Sequence, residues 1–195
     1  MGLTIYRKGE QELIQGCRRG DRIAQKQLYE TYSPKMYGLC CRYLKDPMHA
    51  EDALVTAFTR ILEKIEQFKG DGSLENWIKV IVIREALAVI RKNQLQRNET
   101  DLEAIENRAA GIQDFGDPFD TEELLCMIQD LPEGYRTVFN LYAIEGYSHM
   151  EIAEKLSISE NTSKSQLSRA RAFLQRKLAQ FDKMQNIKRN DITAR

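Results

Sequence analysis

No stretch of this sequence approaches the roughly 18 consecutive apolar residues that a membrane span requires, so membrane insertion is not expected. The first residues, with Tyr6, Arg7, Lys8, Gly9 and Glu10, also lack the apolar core of a secretory signal. Cysteine is sparse. Cys17, Cys40, Cys41 and Cys126 form no C-x-x-C pair, which argues against structural disulfides and for free thiols buried in a reducing cytoplasm. His49 and His149 are too isolated to suggest a metal site. A glycine-rich phosphate loop, a nucleophile–base pair and a ligand cluster are all missing, so neither an enzyme nor a bound cofactor is expected. Alternating apolar and polar residues of the strand kind are absent as well. What remains is helical periodicity, and the expected fold class is all-α.

Excess charge of one sign is absent overall, but the formal net charge of zero hides a segregation. Residues 1–98 carry 17 Lys/Arg against 12 Asp/Glu, residues 99–133 carry 1 against 11, and residues 134–195 carry 11 against 6. Two basic blocks flank an acidic one, and basic blocks suit nucleic acid.

The stretch from Gly146 to Arg171 reads as a helix-turn-helix. Ser148 and Glu151 have capping-box spacing. Ile152, Ala153 and Leu156 then form one apolar face, and Ser157-Ile158 is a short turn with an apolar plug. Ser159 is placed to cap the second helix, whose Leu167, Ala170 and Leu174 recur every three or four residues and face inward. The opposite face holds Asn161, Lys164, Ser165, Arg169 and Arg171, with no acid after Glu160. Donors and positive charge on one helix face suit base edges and phosphates in a major groove.

Elsewhere the pattern predicts a helix near Gln11–Arg19 and another after Gly20-Asp21. Pro34 is expected to mark the junction of the second helix with a third. Asp46-Pro47 opens a helix with the stripe Ala53, Leu54, Ala57, Phe58, Ile61, Leu62 and Ile65. Phe68–Ser73, with Gly70 and Gly72, is a loop, and a long helix from Leu74 ends near Arg97. Residues 98–120 read as a flexible acidic linker, with transient helix around Leu102–Ala110. Helices at about Thr121–Asp130 and Pro132–Glu145 follow, with Val138, Phe139, Leu141, Tyr142 and Ile144 as core, and residues from Lys183 on look frayed.

Two separate segments resemble the extracytoplasmic-function sigma factors of bacterial RNA polymerase. The first runs through Leu28–Tyr32, Ala50–Ala53, Phe58, Phe68–Ile78 and Ile90–Lys92. The second runs through Leu131–Arg136, Glu151–Ala153, Leu156, Ser159, Thr162, Lys164-Ser165 and Arg169–Arg171. The resemblance implies a sigma region 2 helical bundle at 10–97, the linker at 98–120 and a sigma region 4 helix-turn-helix domain at 121–181. It implies docking on the clamp helices of the largest subunit of core RNA polymerase by Glu51, Asp52, Val55, Thr56, Thr59 and Arg60. The flap of the second-largest subunit would meet the face around Tyr135–Tyr142.

By the same resemblance, Phe68, Lys69, Gly70, Asp71, Gly72 and Ser73 read the melted minus-ten strand, with Lys79, Arg84, Arg91 and Lys92 on its phosphates. Trp77 reads as core rather than as a stacking platform. Lys164, Ser165, Gln166 and Arg169 face the minus-thirty-five groove, and Asn161, Thr162 and Arg171 hold promoter phosphates. An anti-sigma protein is a further implied partner, and no metal or cofactor is implied. Departures from the family's habits are Val55 and Thr56 for Gln-Glu, Arg84 for asparagine, Ala88 for aspartate, Ser163 for valine and Gln166 for arginine. The competing readings are a stand-alone helix-turn-helix regulator and a sigma-like protein that no longer docks polymerase.

Overall fold

A computed structural model describes residues 8–100 and 121–193, and the side chains of residues 9–95 and 124–181. The described residues are helical without a strand, and the chain divides into two compact units, Met1–Ala104 and Ile105–Arg195. The expected linker lies outside the described residues from 101 onward, as does the transient helix expected around Leu102–Ala110.

The first unit packs four helices: α1 (Lys8–Arg18), α2 (Arg22–Tyr43), α3 (Pro47–Lys64) and α4 (Leu74–Thr100). Asp21 opens α2 by accepting from the Ile23 N–H at 2.9 Å, and Asp46 opens α3 by accepting from the Met48 N–H at 2.9 Å. A side chain at Gly16 would bring its Cβ to 2.5 Å from the Ala24 Cβ, so glycine is what lets α1 lie this close to α2. Leu28, Met36, Leu39, Cys40 and Tyr43 of α2 meet Ala50, Ala53, Ala57, Phe58 and Ile61 of α3 and Ile78, Val82, Ala86 and Ile90 of α4 in the core.

Pro34 does not end a helix, contrary to expectation; α2 runs through it as one helix of 22 residues. An internal proline costs about 3 kcal/mol, through the hydrogen bond it removes and the clash of its ring with the carbonyl four residues back. Here Glu30 and Pro34 are both exposed, so water can take that carbonyl. Burial of the flanking residues Leu28, Met36 and Leu39 offsets the remainder.

The second unit contains α5 (Thr121–Gln129), α6 (Glu133–Phe139), α7 (His149–Leu156) and α8 (Glu160–Thr193). Its core is Ile128, Leu131, Val138, Leu141, Ile152, Leu167 and Ala170. Arg136 is buried, and its Nη1 donates to the Gln129 and Leu131 carbonyls at 3.1 Å each, satisfying backbone acceptors at the end of α5. The expected continuous helix to Glu145 instead ends in a π segment, Asn140–Ile144, in which the Glu145 N–H bonds back to the Asn140 carbonyl at 2.9 Å. The wider turn shifts the register, and Ile144 is 37% exposed rather than core. Beyond Lys183, where fraying is expected, α8 meets no proline or glycine and continues to Thr193. All four cysteines are free. Cys17 and Cys40 are buried, as expected, but Cys126 is exposed. Burial, aided by neighbouring Cys41, pushes the Cys40 thiol up to about 12.

Candidate nucleic-acid interface

The helix-turn-helix is held by local bonds at each end. Ser148 accepts from the Glu151 N–H at 3.3 Å, and the Glu151 carboxylate accepts from the Ser148 N–H at 2.8 Å. The Ser148 N–H and, to a lesser degree, the Ser148 hydroxyl, which donates to the same carboxylate at 2.8 Å, hold the Glu151 carboxyl below its ordinary value. Ser157 closes α7 in the left-handed conformation at φ 55°, and its N–H bonds the Ala153 carbonyl. Ser159 then caps α8, accepting from the Thr162 N–H at 3.0 Å.

Asn161, Lys164, Ser165, Arg169 and Arg171 are exposed on α8, whereas Thr162 and Gln166 are half-buried. The Thr162 hydroxyl is engaged with the Ser159 hydroxyl at 2.8 Å, and the Ser165 hydroxyl donates to the Thr162 carbonyl at 2.9 Å. Lys164 pairs with Glu160 at 3.1 Å. An exposed pair of this spacing holds only about 0.3–0.5 kcal/mol, so a phosphate can displace the glutamate. Gln166 lies against Gly134 of α6, where an added Cβ would sit 3.2 Å from its amide nitrogen. Arg169 reaches to 3.4 Å from the Tyr135 hydroxyl, and the Arg171 guanidinium lies 5.7 Å from the Tyr142 ring centre. These aromatics restrain two arginines without neutralising them.

Ser163 is fully buried on the opposite side of α8 and shares a hydrogen bond of 2.9 Å with Nδ1 of His149. The imidazole in turn stacks on Tyr142, with ring centres 4.5 Å apart. Sequence reasoning missed this bond, since the two residues lie fourteen positions apart on different helices.

In the first unit, the loop expected to read a strand presents Lys69, Asp71, Gly72 and Ser73 to solvent. Phe68 and Gly70 are buried, and the Phe68 ring lies 5.5 Å from the half-buried Trp77. Gly70 and Gly72 take φ of 86° and 106°, a conformation that favours glycine. Ser73 caps α4, accepting from the Asn76 N–H at 3.1 Å. Along α4, Arg84, Arg91 and Lys92 are exposed and Lys79 is half-buried.

On α3, Glu51, Asp52, Val55, Thr56, Thr59 and Arg60 all face outward, and Val55 is 59% exposed. Arg60 has an internal partner: its Nη1 donates to the Glu85 carboxylate of α4 at 2.7 Å. Val55, Leu54 and Glu51 also border an open groove of about 400 Å³ against Tyr29, Ser33, Pro34 and Tyr37 of α2. The α2 side of the groove follows only from packing.

Comparison with known proteins adds a common ancestry to this geometry. Residues 28–96 match the family described as Sigma-70 region 2, and residues 121–174 match Sigma-70, region 4. The chain is 30% identical over 176 residues to the ECF RNA polymerase sigma factor SigW of Bacillus subtilis, spanning 85% of this chain and 94% of that one. It is 29% identical over 186 residues to the RNA polymerase sigma-H factor of Pseudomonas aeruginosa, spanning 89% and 96%. In fold it is similar to the sigma factor RpoE solved with the anti-sigma factor NepR from Bartonella quintana. The TM-score is 0.51 at 23% identity, over 79% of this chain and 96% of that one.

Proposed function

The chain belongs to the extracytoplasmic-function sigma factors of RNA polymerase, and from that membership we propose how its surfaces divide the work of promoter recognition. Residues 10–97 act as the unit that docks core polymerase and reads the minus-ten element. Residues 121–181 read the minus-thirty-five element, and residues 98–120 connect the two.

The observation that carries this reading is the outward face of α8. Lys164, Ser165 and Arg169 are exposed in sequence with Asn161 and Arg171, behind a capped and tightly turned helix, and no acid lies between Glu160 and Asp182. Such a face meets duplex phosphate and base edges without a repulsive charge. Gln166, tucked beside Gly134, reaches a base only by swinging away from α6. In the first unit Lys69, Asp71 and Ser73 offer donors and acceptors to an extruded base, and Arg84, Arg91 and Lys92 offer charge to its phosphates. The buried Phe68 and Gly70 shape that loop from within.

Core polymerase docks on α3 and the α2–α3 groove in this proposal. Val55 and Tyr29 expose apolar atoms there, beside Glu51. The same apolar atoms make the groove suitable for an anti-sigma partner that competes with polymerase. The flap of the second-largest subunit is assigned to the face around Tyr135–Tyr142. No catalytic step is assigned to any residue.

Binding of the chain to core RNA polymerase, followed by run-off transcription from a pool of promoter fragments, tests the proposal. Tight binding with new, specific transcripts is expected. Duplex binding without polymerase binding would instead make the protein a stand-alone regulator.

A further inference from the structure

The loop Phe68–Ser73 is short of internal order. It contains two glycines at positive φ, the buried Gly70 and the exposed Gly72, and the Gly72 N–H bonds back to the Gly70 carbonyl at 3.1 Å. A loop that discriminates one base from another must hold its donors to within a fraction of an ångström. That order has to come from outside the loop.

At the exit, the Ser73 cap and an ion pair between Lys35 of α2 and Glu75 fix the start of α4. At the entrance, fifty residues back in sequence, Arg18 is the last residue of α1. Its Nη2 donates to the Phe68 carbonyl at 2.6 Å, and its Nε lies 3.8 Å from the Glu66 carboxylate. The Arg18 side chain is only 25% exposed, whereas that of Glu66 is 69% exposed, so the bond to the carbonyl is the better shielded of the two. Phe68 is thus held by its ring against Trp77, by its N–H on the Ile65 carbonyl at 3.3 Å and by its carbonyl on Arg18.

We infer that Arg18 is a positioning residue for minus-ten recognition: it aims the Lys69–Ser73 segment at the melted strand by fixing the Phe68 carbonyl, and touches no DNA itself. The inference rests on the proposed role of this loop in reading the minus-ten strand. Neither end of the loop needs Arg18 in order to fold, because Phe68 remains buried and Ser73 remains a cap without it. Its loss therefore acts on aim more than on stability.

The test uses the full chain assembled with core RNA polymerase. The probe is a pool of promoter duplexes opened by mismatches and randomised in both elements, with the bound fraction sequenced. The wild-type assembly is expected to prefer one base by about tenfold or more at one or more minus-ten positions, the scale of a good base contact. Arg18→Ala is expected to flatten that preference to within about twofold while leaving minus-thirty-five preference and polymerase binding within about twofold of wild type. Arg18→Lys, which can still donate to the carbonyl, should restore most of the preference. Glu66→Gln, which removes only the exposed ion pair, should leave it intact.

Hydrogen exchange gives a readout that does not need DNA: the Gly72 amide, bonded to the Gly70 carbonyl, should exchange several-fold faster in Arg18→Ala, with α2 and α3 unchanged. Retention of the wild-type preference in Arg18→Ala overturns the inference. So does an equal loss at both promoter elements that Arg18→Lys fails to restore, since that marks a general stabiliser. Absence of any minus-ten preference in the wild-type assembly is a different result: it removes the proposed role of the loop, and the inference with it.

Discussion

Nδ1 of His149 lies 2.9 Å from the hydroxyl of Ser163, joining the start of α7 to the buried side of α8. The bond sits between the two helices whose relative angle decides what the outward face of α8 can reach. A valine, which the family commonly has at this position, would fill the space without directing it. Serine adds a directional tie, and the stack of His149 on Tyr142 sets the plane of the imidazole.

His149→Ala and Ser163→Ala are each expected to destabilise the second unit by about 1–2 kcal/mol, the range for a buried hydrogen bond broken from one side. Because both remove the same bond, the double variant should cost less than the sum of the two. The single tryptophan belongs to the first unit and does not report on this change. Hydrogen exchange at the Leu167 and Ala170 amides does, and strict additivity there would refute the coupling.

Arg60 was expected on sequence grounds to face polymerase, and its pair with Glu85 makes a different prediction available. Glu85 is 3% exposed, so removing Arg60 leaves a buried carboxylate without that partner. Arg60→Ala should destabilise the first unit by about 1–2 kcal/mol, a figure reduced from that of fully buried pairs because Arg60 is about half exposed. Glu85→Leu in the same chain should recover most of the loss. Urea unfolding followed by Trp77 fluorescence measures both, and no recovery in the double variant would show that the pair is not the cause.

Ser157 takes a left-handed conformation that costs an L-residue about 1–2 kcal/mol and glycine almost nothing. Part of that gain is lost because glycine is more disordered in the unfolded chain. Ser157→Gly is therefore expected to stabilise the second unit by up to about 1 kcal/mol. Thermal unfolding followed by circular dichroism would show it, and a lower midpoint would mean that the serine side chain makes a compensating contact.

Acid should loosen the helix-turn-helix at its first cap. The Glu151 carboxyl is held below its ordinary value by the Ser148 N–H and hydroxyl. A depressed value means that the folded state binds the proton less readily than the unfolded one. The contribution is therefore complete above the ordinary glutamate value and disappears as pH falls through the depressed one. The chemical shift of the Ser148 amide, followed by NMR from neutral to acid pH, should move in that window. In Glu151→Gln the movement should vanish.

Features carried by residues within four positions of each other could be read from the order of side chains. The Ser148–Glu151 box, the Ser159 cap, the Asp46-Pro47 start and the inward Leu167 and Ala170 need only helical geometry to take effect, and each occurs at its expected place. The segregation of charge was equally plain, and so was the all-α class. Pro34 shows the limit of local reasoning. A proline rule predicts a break, yet exposure of Glu30 and Pro34 together with the buried residues on either side kept α2 whole.

What the sequence determined by itself was where helices begin, which faces are apolar and which family's pattern the chain follows. Tertiary structure alone decided which distant residues meet. Arg18 and Phe68 are fifty positions apart, Arg60 and Glu85 twenty-five, His149 and Ser163 fourteen, and the groove draws on α2 as well as α3. The physical reason is the range of the interactions. A cap or an apolar stripe is complete within one or two turns of helix, whereas a partner across a helix interface exists only after packing has set the distance and register between elements.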